Sequence, residues 1–246
     1  MTVAYRREGD VALIVYQRVE RRNAWDLATY RAAADAVRRA NDDAAVGTIV
    51  IAADGPSFCA GADLRASPEP RDSETGRRPD MATEAMAAGT GWVQLLAGSK
   101  PVIAAVQGVA IGLGITHVLA ADIRIAAAGA RFAFPFLERG TMPEFGATAL
   151  LARLVGHGRA RDLCLSASTI EATEALRIGL VTRVVPEEML RDAAMALAAR
   201  IAGFDREATR HAKTLLVANE AEPDIEAVLA RERAAFVTMR RARFRH

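Results

Sequence analysis

Two glycine-rich turns place backbone N–H groups where a developing anion could be held. Ser57-Phe58-Cys59-Ala60-Gly61-Ala62-Asp63-Leu64 follows a β-branched apolar run, and Gly108-Val109-Ala110-Ile111-Gly112-Leu113-Gly114-Ile115-Thr116 joins a second such run to a helical segment. Small residues let the chain turn sharply with an N–H aimed into a cleft. The second turn adds the positive end of a helix. Together they form a candidate anion hole; either one alone is ordinary strand-to-helix packing. A nucleotide-phosphate loop is the competing reading, but no G-x-G-x-x-G follows the first strand and no G-K-[ST] occurs. Asp63 stands where a base beside the hole would stand, although capping of a following helix is the commoner use of such a residue. His117 and His157 have neither metal-ligand nor triad spacing, and Cys59 and Cys164 form no C-x-x-C. Neither a metal site nor a disulfide is expected.

The turns depend on the elements around them. Val11 to Tyr16 reads as a strand, Asn23 to Ala40 as a helix and Thr48 to Ala53 as a strand. A second unit runs through a strand at Pro101 to Val106, a helix from about Gly114 to Ala120 and a strand at Ile123 to Ala126. This is α/β layering. Arg65 to Asp80, with three prolines and dense charge, reads as a solvated loop able to serve as a lid. After Pro143 the pattern is helical: Ala147 to Val155, Gly158 to Cys164, Ile170 to Ile178, Glu187 to Ala202, Glu207 to Ala218 and Ile225 to Arg240. Domain limits of 1–195 for an α/β core and 196–246 for a helical part follow.

Across 246 residues, 32 Lys and Arg face 30 Asp and Glu, for a net charge of +2, and 51% of residues are apolar. That balance excludes a disordered or fibrous chain and gives no broad basic footprint for nucleic acid. No run of 18 apolar residues is free of charge, and Arg6, Arg7 and Glu8 interrupt the N-terminal segment, so a cytoplasmic protein without a membrane span is expected. A small molecule is the expected partner.

The chain resembles the crotonase (enoyl-CoA hydratase/isomerase) superfamily. The resemblance rests on Arg18-Val19-Glu20-Arg21-Arg22-Asn23-Ala24, Phe58-Cys59-Ala60-Gly61-Ala62-Asp63-Leu64, Ala105-Val106-Gln107-Gly108 to Asp122-Ile123-Arg124, and Gly179-Leu180-Val181 to Val185. These segments recur in the family's order. Val19 replaces the proline usual after that arginine. The resemblance implies a spiral of repeated ββα units, a C-terminal helical part that forms a homo-trimer or hexamer, and an acyl-CoA thioester as substrate. Coenzyme A belongs to that substrate, and no separate cofactor is implied. By position, the oxyanion donors would be the N–H groups of Ala62 and Leu113. Arg22, Ala24, Ala60, Ala62, Asp63 and Leu64 would lie along the CoA, and Lys213 and Phe236 would reach it from the C-terminal part.

The departures carry information. Hydratases of this family hold and activate water with two glutamates, and the matching positions here are Thr116 and Phe136. Neither can serve as a general base at neutral pH. One carboxylate remains: Thr141-Met142-Pro143-Glu144-Phe145-Gly146-Ala147-Thr148 resembles the Pro-acid-x-Gly segment that carries the catalytic acid of enoyl-CoA isomerases. Moving a double bond requires one base that removes a proton and returns it two carbons away. Met142, Phe145, Phe134 and Phe136 would wall Glu144 in apolar surroundings and raise its pKa. Capping of the helix near Gly146 is the alternative use of Glu144. An enoyl-CoA isomerase is therefore the leading expectation. A non-catalytic acyl-CoA binder, a residual hydratase acting through Glu138, and another enolate reaction with Glu144 as nucleophile are the alternatives. The acyl wall was expected from Arg65 to Asp80, a helix at Met81 to Leu96 and the strip Phe132 to Phe136, the last suggesting an apolar acyl group.

Overall fold

Three strands, β2 (Val11–Tyr16), β3 (Thr48–Ala53) and β4 (Val102–Val106), are buried along their whole length. Strands covered on both faces read as continuous apolar runs, as these do. The computed structural model describes residues 2–66, 73, 76 and 91–243. In it these strands are the centre of a six-stranded sheet with order β1-β2-β3-β4-β6-β9, where β1 is Val3–Glu8, β6 is Ile123–Ala127 and β9 is Arg183–Val185. β1 pairs antiparallel with β2, and the remaining pairs are parallel. A second sheet, β5-β7-β8, consists of Val109–Ile111, Arg131–Ala133 and Thr169–Glu171. β4 and β6 in the first sheet are each followed by a strand of the second, β5 and β7, which gives the repeated layered turns expected of the fold.

Alternate side chains of the large sheet feed two cores. On one face Ala12, Ile14 and Tyr16 meet Ala33, Val37 and Ala40 of α1 (Leu27–Asp42). On the other, Val11, Leu13 and Val15 meet Leu190, Ala194, Ala198 and Ala202 of α7 (Leu190–Ala202). The expected domain limit at 195 therefore cuts a helix that lies on the sheet throughout its length. Only α8 (Arg206–Asn219) and α9 (Ile225–Arg243) stand beyond it.

α1 begins at Leu27, not Asn23. Arg22 and Asn23 have positive φ, 51° and 54°, and the Asn23 amide is buried, donating to the carbonyls of Asp54 and Ser57 while accepting from the Arg18 N–H. Asp26 then caps the helix by accepting from the Thr29 N–H at 2.8 Å. The expected helix from Gly114 is a single turn, α3 (Leu113–Thr116). The segment expected as one helix from Ile170 opens with β8 and continues as α6 (Ala172–Arg177). α2 (Trp92–Ala97), α4 (Ala147–Val155) and α5 (His157–Leu165) complete the framework. Most of the expected lid at Arg65 to Asp80 and of the expected helix at Met81 to Leu96 lies outside the described residues.

Candidate active site

The first donor turn is bound to the second along its edge. Phe58 and Cys59 donate to the carbonyls of Gln107 and Val109 at 3.0 and 3.1 Å, and Ile111 donates back to Cys59 at 3.0 Å. This forms an isolated parallel bridge between Cys59 and Ala110. The approach requires glycine: a Cβ on Gly114 would lie 2.1 Å from the Cys59 carbonyl oxygen. On its other side the turn pairs with the segment after Arg18, because Ala60 donates to Arg22, Trp25 to Gly61 and Asp63 to Trp25. Both flanks of the turn are pinned, and the N–H groups of Ala62 and Leu113 donate to no acceptor among the described residues. Leu113 is the first residue of α3, so its N–H is one of those a helix start leaves unpaired.

These two residues line one cavity of about 260 Å³ together with Phe136, Met142, Arg139 and Glu144. The Phe136 ring lies 3.7 Å from where a Cβ of Gly112 would stand, beside the donor turn. Thr116 is fully buried and is absent from the cavity wall. Of the two positions expected to match the glutamates of the family's hydratases, one is thus an apolar wall and the other is closed off. Glu138, the expected alternative base, does not line the cavity either.

Glu144 is set by its neighbour. Phe145 holds a positive φ of 54°, a conformation that costs a non-glycine residue on the order of 1–3 kcal/mol. Its ring packs edge-on to Trp25 and Tyr30, each with centroids 6.4 Å away. Anchored there, it leaves Glu144 at the cavity. The capping alternative does not hold, since α4 starts from Gly146 with no side-chain cap and Glu144 contributes only its carbonyl, to the Ala147 N–H. The Glu144 carboxylate has no hydrogen-bond or ion-pair partner among the described residues. Although much of the residue faces solvent, the protein around its carboxyl pushes the pKa above the ordinary 4.5, and desolvation is the whole of the cause.

Several expected CoA contacts are placed differently. Asp63 is neither a base nor a helix cap: Arg18 reaches its carboxylate at 2.9 Å, and the Arg65 N–H donates to it at 3.0 Å. Burial alone would raise its pKa, but these partners hold it below the usual range. Arg18 also meets Asp26 at 3.1 Å and the Ala24 carbonyl at 2.6 Å, so this arginine, which the sequence reading left without a role of its own, holds the wall of the turn. Its pairing with an acid 45 residues downstream has no local signal. Arg22 is exposed, Ala24 is buried, and Ala60 and Leu64 line the cavity.

Lys213, expected as a CoA contact, is bonded within the fold as an anchor. Its amine lies 2.8 Å from both the Asp122 carboxylate and the Leu96 carbonyl, and it is 7% exposed. It lines a separate cavity of about 470 Å³ with Lys100, Arg206 and Arg210. That cavity is the larger, but its cations are already bonded, to Ala40 and Asp43, to Asp10, and to Glu207 respectively, and it contains neither donor turn. Phe236 is 58% exposed on α9 and lines neither cavity.

His117 is packed in the core. It is fully buried, with Nδ1 2.8 Å from the Leu113 carbonyl and Nε2 3.1 Å from the Tyr16 hydroxyl. Both cysteines are free; Cys59 is buried, and desolvation pushes its thiol up to about 12. Among the described residues no group of three His, Cys, Asp or Glu is placed to hold a metal, and no helix is long and apolar enough to cross a membrane.

Residues 6–245 match the family described as enoyl-CoA hydratase/isomerase. The chain belongs to that family. It is 38% identical over 238 residues to a crotonyl-CoA hydratase of Syntrophomonas wolfei, covering 94% of this chain and 86% of the relative. It is 38% identical over 199 residues to a probable enoyl-CoA hydratase of Mycobacterium tuberculosis, covering 80% and 70%. Among solved structures, a candidate enoyl-CoA hydratase of Thermobifida fusca in complex with CoA superposes with a TM-score of 0.84 at 30% identity, covering 100% of this chain and 95% of that one. These relatives are named hydratases. The names lend no support to the expected closeness to isomerase-type members.

Proposed function

We propose that the protein is an acyl-CoA enzyme that shifts a carbon–carbon double bond through a thioester enolate, with Glu144 as its single acid and base. The observation that carries this reading is the composition of the cavity: two uncommitted N–H donors, one unpartnered carboxylate, and Phe136 and a buried Thr116 where a water-activating pair would stand. The thioester oxygen accepts from the Ala62 and Leu113 N–H groups. Glu144 removes the proton from the α carbon of a β,γ-enoyl ester, and the electrons move onto that oxygen. The same carboxyl, now protonated, returns the proton to the γ carbon as the double bond settles between α and β. Charge develops on the oxygen only during the step, so donors already aimed there favour the transition state, by about 3 kcal/mol for one donor. A raised pKa makes Glu144 a better base than an ordinary carboxylate and a usable acid afterwards.

In this reading CoA leaves the cavity past Ala60 and Leu64, toward the side of Arg22 and Ala24. The CoA complex of the structural neighbour supports an acyl-CoA ligand. The apolar residues exposed on α8 and α9, Leu216, Ile225, Phe236 and Val237, support a homo-trimer or a hexamer assembled through the C-terminal helices. The test is product analysis with a β,γ-enoyl-CoA and an α,β-enoyl-CoA. Conversion of the first without a change of mass is the expected result, and addition of water to the second as the faster reaction contradicts it.

A further inference from the structure

The same cavity holds a second charged group, Arg139. It sits at the end of a single 3-10 turn, Leu137–Arg139, that follows Phe136 and is closed by Gly140 with φ 65°. Its backbone N–H donates to the Phe136 carbonyl at 3.1 Å. The side chain has no hydrogen bond or ion pair among the described residues, although Glu138 is adjacent in sequence and Glu144 lines the same cavity. Arg139 is exposed, and its place in the cavity lining sets it apart from the exposed arginines that line no cavity with the donor turns. The guanidinium and the carboxylate line one cavity with no ion pair between them, which leaves room for a substrate group.

The side of the cavity on which Arg139 lies decides what that group is. The donor turns Ala60–Ala62 and Ile111–Leu113 line the cavity together with Pro135, Phe136, Arg139, Thr141, Met142 and Glu144. With the thioester oxygen at the donors and CoA leaving past Ala60 and Leu64, the remaining lining, Phe136, Arg139, Met142 and Glu144, is left to the acyl group. Phe136 and Met142 suit a short carbon chain, and a planar guanidinium with free donors in the same lining suits a carboxylate. We infer that Arg139 is a specificity-determining residue, and that the preferred substrates are enoyl-CoA esters whose acyl chain ends in a carboxylate. This refines the apolar acyl group expected from the aromatic strip, and it rests on the proposed function for the orientation of the substrate.

The experiment compares two β,γ-enoyl-CoA esters of equal chain length, one ending in a methyl and one in a carboxylate, with the wild-type protein, Arg139→Ala, Arg139→Lys and, as a control, Glu138→Gln. The wild type is expected to favour the carboxylate ester in kcat/KM. Arg139→Ala is expected to lower that preference by about tenfold to a hundredfold, mainly through KM, as loss of one charge-assisted contact does. Arg139→Lys should restore part of it, and Glu138→Gln should leave it unchanged. Equal losses on both esters in Arg139→Ala would assign the arginine to the CoA phosphates or to folding and overturn the inference, as would an unchanged ratio. Binding of the two saturated acyl-CoA analogues, measured by calorimetry, separates this inference from the proposed reaction. A selective loss of affinity for the carboxylate analogue in Arg139→Ala sustains the specificity even if neither ester is isomerised, whereas equal affinities in wild type and variant overturn it even if both are.

Discussion

Ile111 donates its N–H to the Cys59 carbonyl at 3.0 Å, and that bond fixes two donor turns side by side just before each presents its free N–H, at Ala62 and Leu113. The carbonyl of Cys59 is also the atom that a Cβ on Gly114 would meet at 2.1 Å. Gly114→Ala must therefore part the turns. We expect a stability loss of about 1–3 kcal/mol, the usual penalty of overpacking, and a fall in kcat of about a hundredfold as one donor leaves its position. Denaturant titration and turnover of a β,γ-enoyl-CoA check this, and a variant with wild-type kcat would show that the alignment of the turns is unimportant.

Behind Leu113, His117 is held neutral. With Nδ1 on the Leu113 carbonyl, Nε2 accepts from the Tyr16 hydroxyl, and burial lowers its pKa from 6.5 to about 4. The unfolded chain protonates this histidine first, so its contribution is complete above pH 6.5 and is lost as pH falls from there toward about 4. The shift corresponds to about 3 kcal/mol at the acid end of that window. Urea unfolding across the window should lose stability more steeply for the wild type than for His117→Gln; parallel curves would contradict the assignment.

The element order was legible where one signal dominated. β2, β3 and β4 read as strands because burial on both faces makes them uniformly apolar, and the helices from Ala147 onward kept their amphipathic period. What escaped depends on distant partners. Thr169-Ile170-Glu171 is too short to show alternation and becomes a strand only because β7 pairs with it. The start of α1 moved because Asn23 bonds to Asp54 and Ser57 across the fold. In the site, the donor turns and Glu144 were visible as motifs, whereas the unpartnered state of Arg139 and the burial of Lys213 are properties of packing that no local spacing encodes.

Lys213 gives the sharpest contrast between expectation and placement. Its amine ties α8 to Asp122 and to the carbonyls of Leu96 and Lys100. Lys213→Met should leave Asp122 with the Val102 N–H as its remaining partner and cost about 1–3 kcal/mol, with the Kd for CoA within about twofold of wild type. Calorimetry on the folded variant reads both quantities. A tenfold weaker Kd with unchanged stability would return Lys213 to the ligand.

In the proposed reaction the ionised form of Glu144 is the base, so kcat/KM should fall on the acid side with a midpoint above 4.5, the direction in which desolvation moves this group. Activity should then rise to a plateau at neutral pH. A midpoint at or below 4.5 would mean that the carboxyl is solvated as in water and that the cavity does not tune it.

The most direct measurement is the turnover of a β,γ-enoyl-CoA by Glu144→Gln beside its affinity for the same ester. The substitution keeps size and polarity while removing the proton acceptor. The account predicts a loss of kcat of at least about a hundredfold, within the range for a general base, with a Kd changed by no more than a few-fold. Retention of turnover would contradict it and move the chemistry to another group in the cavity.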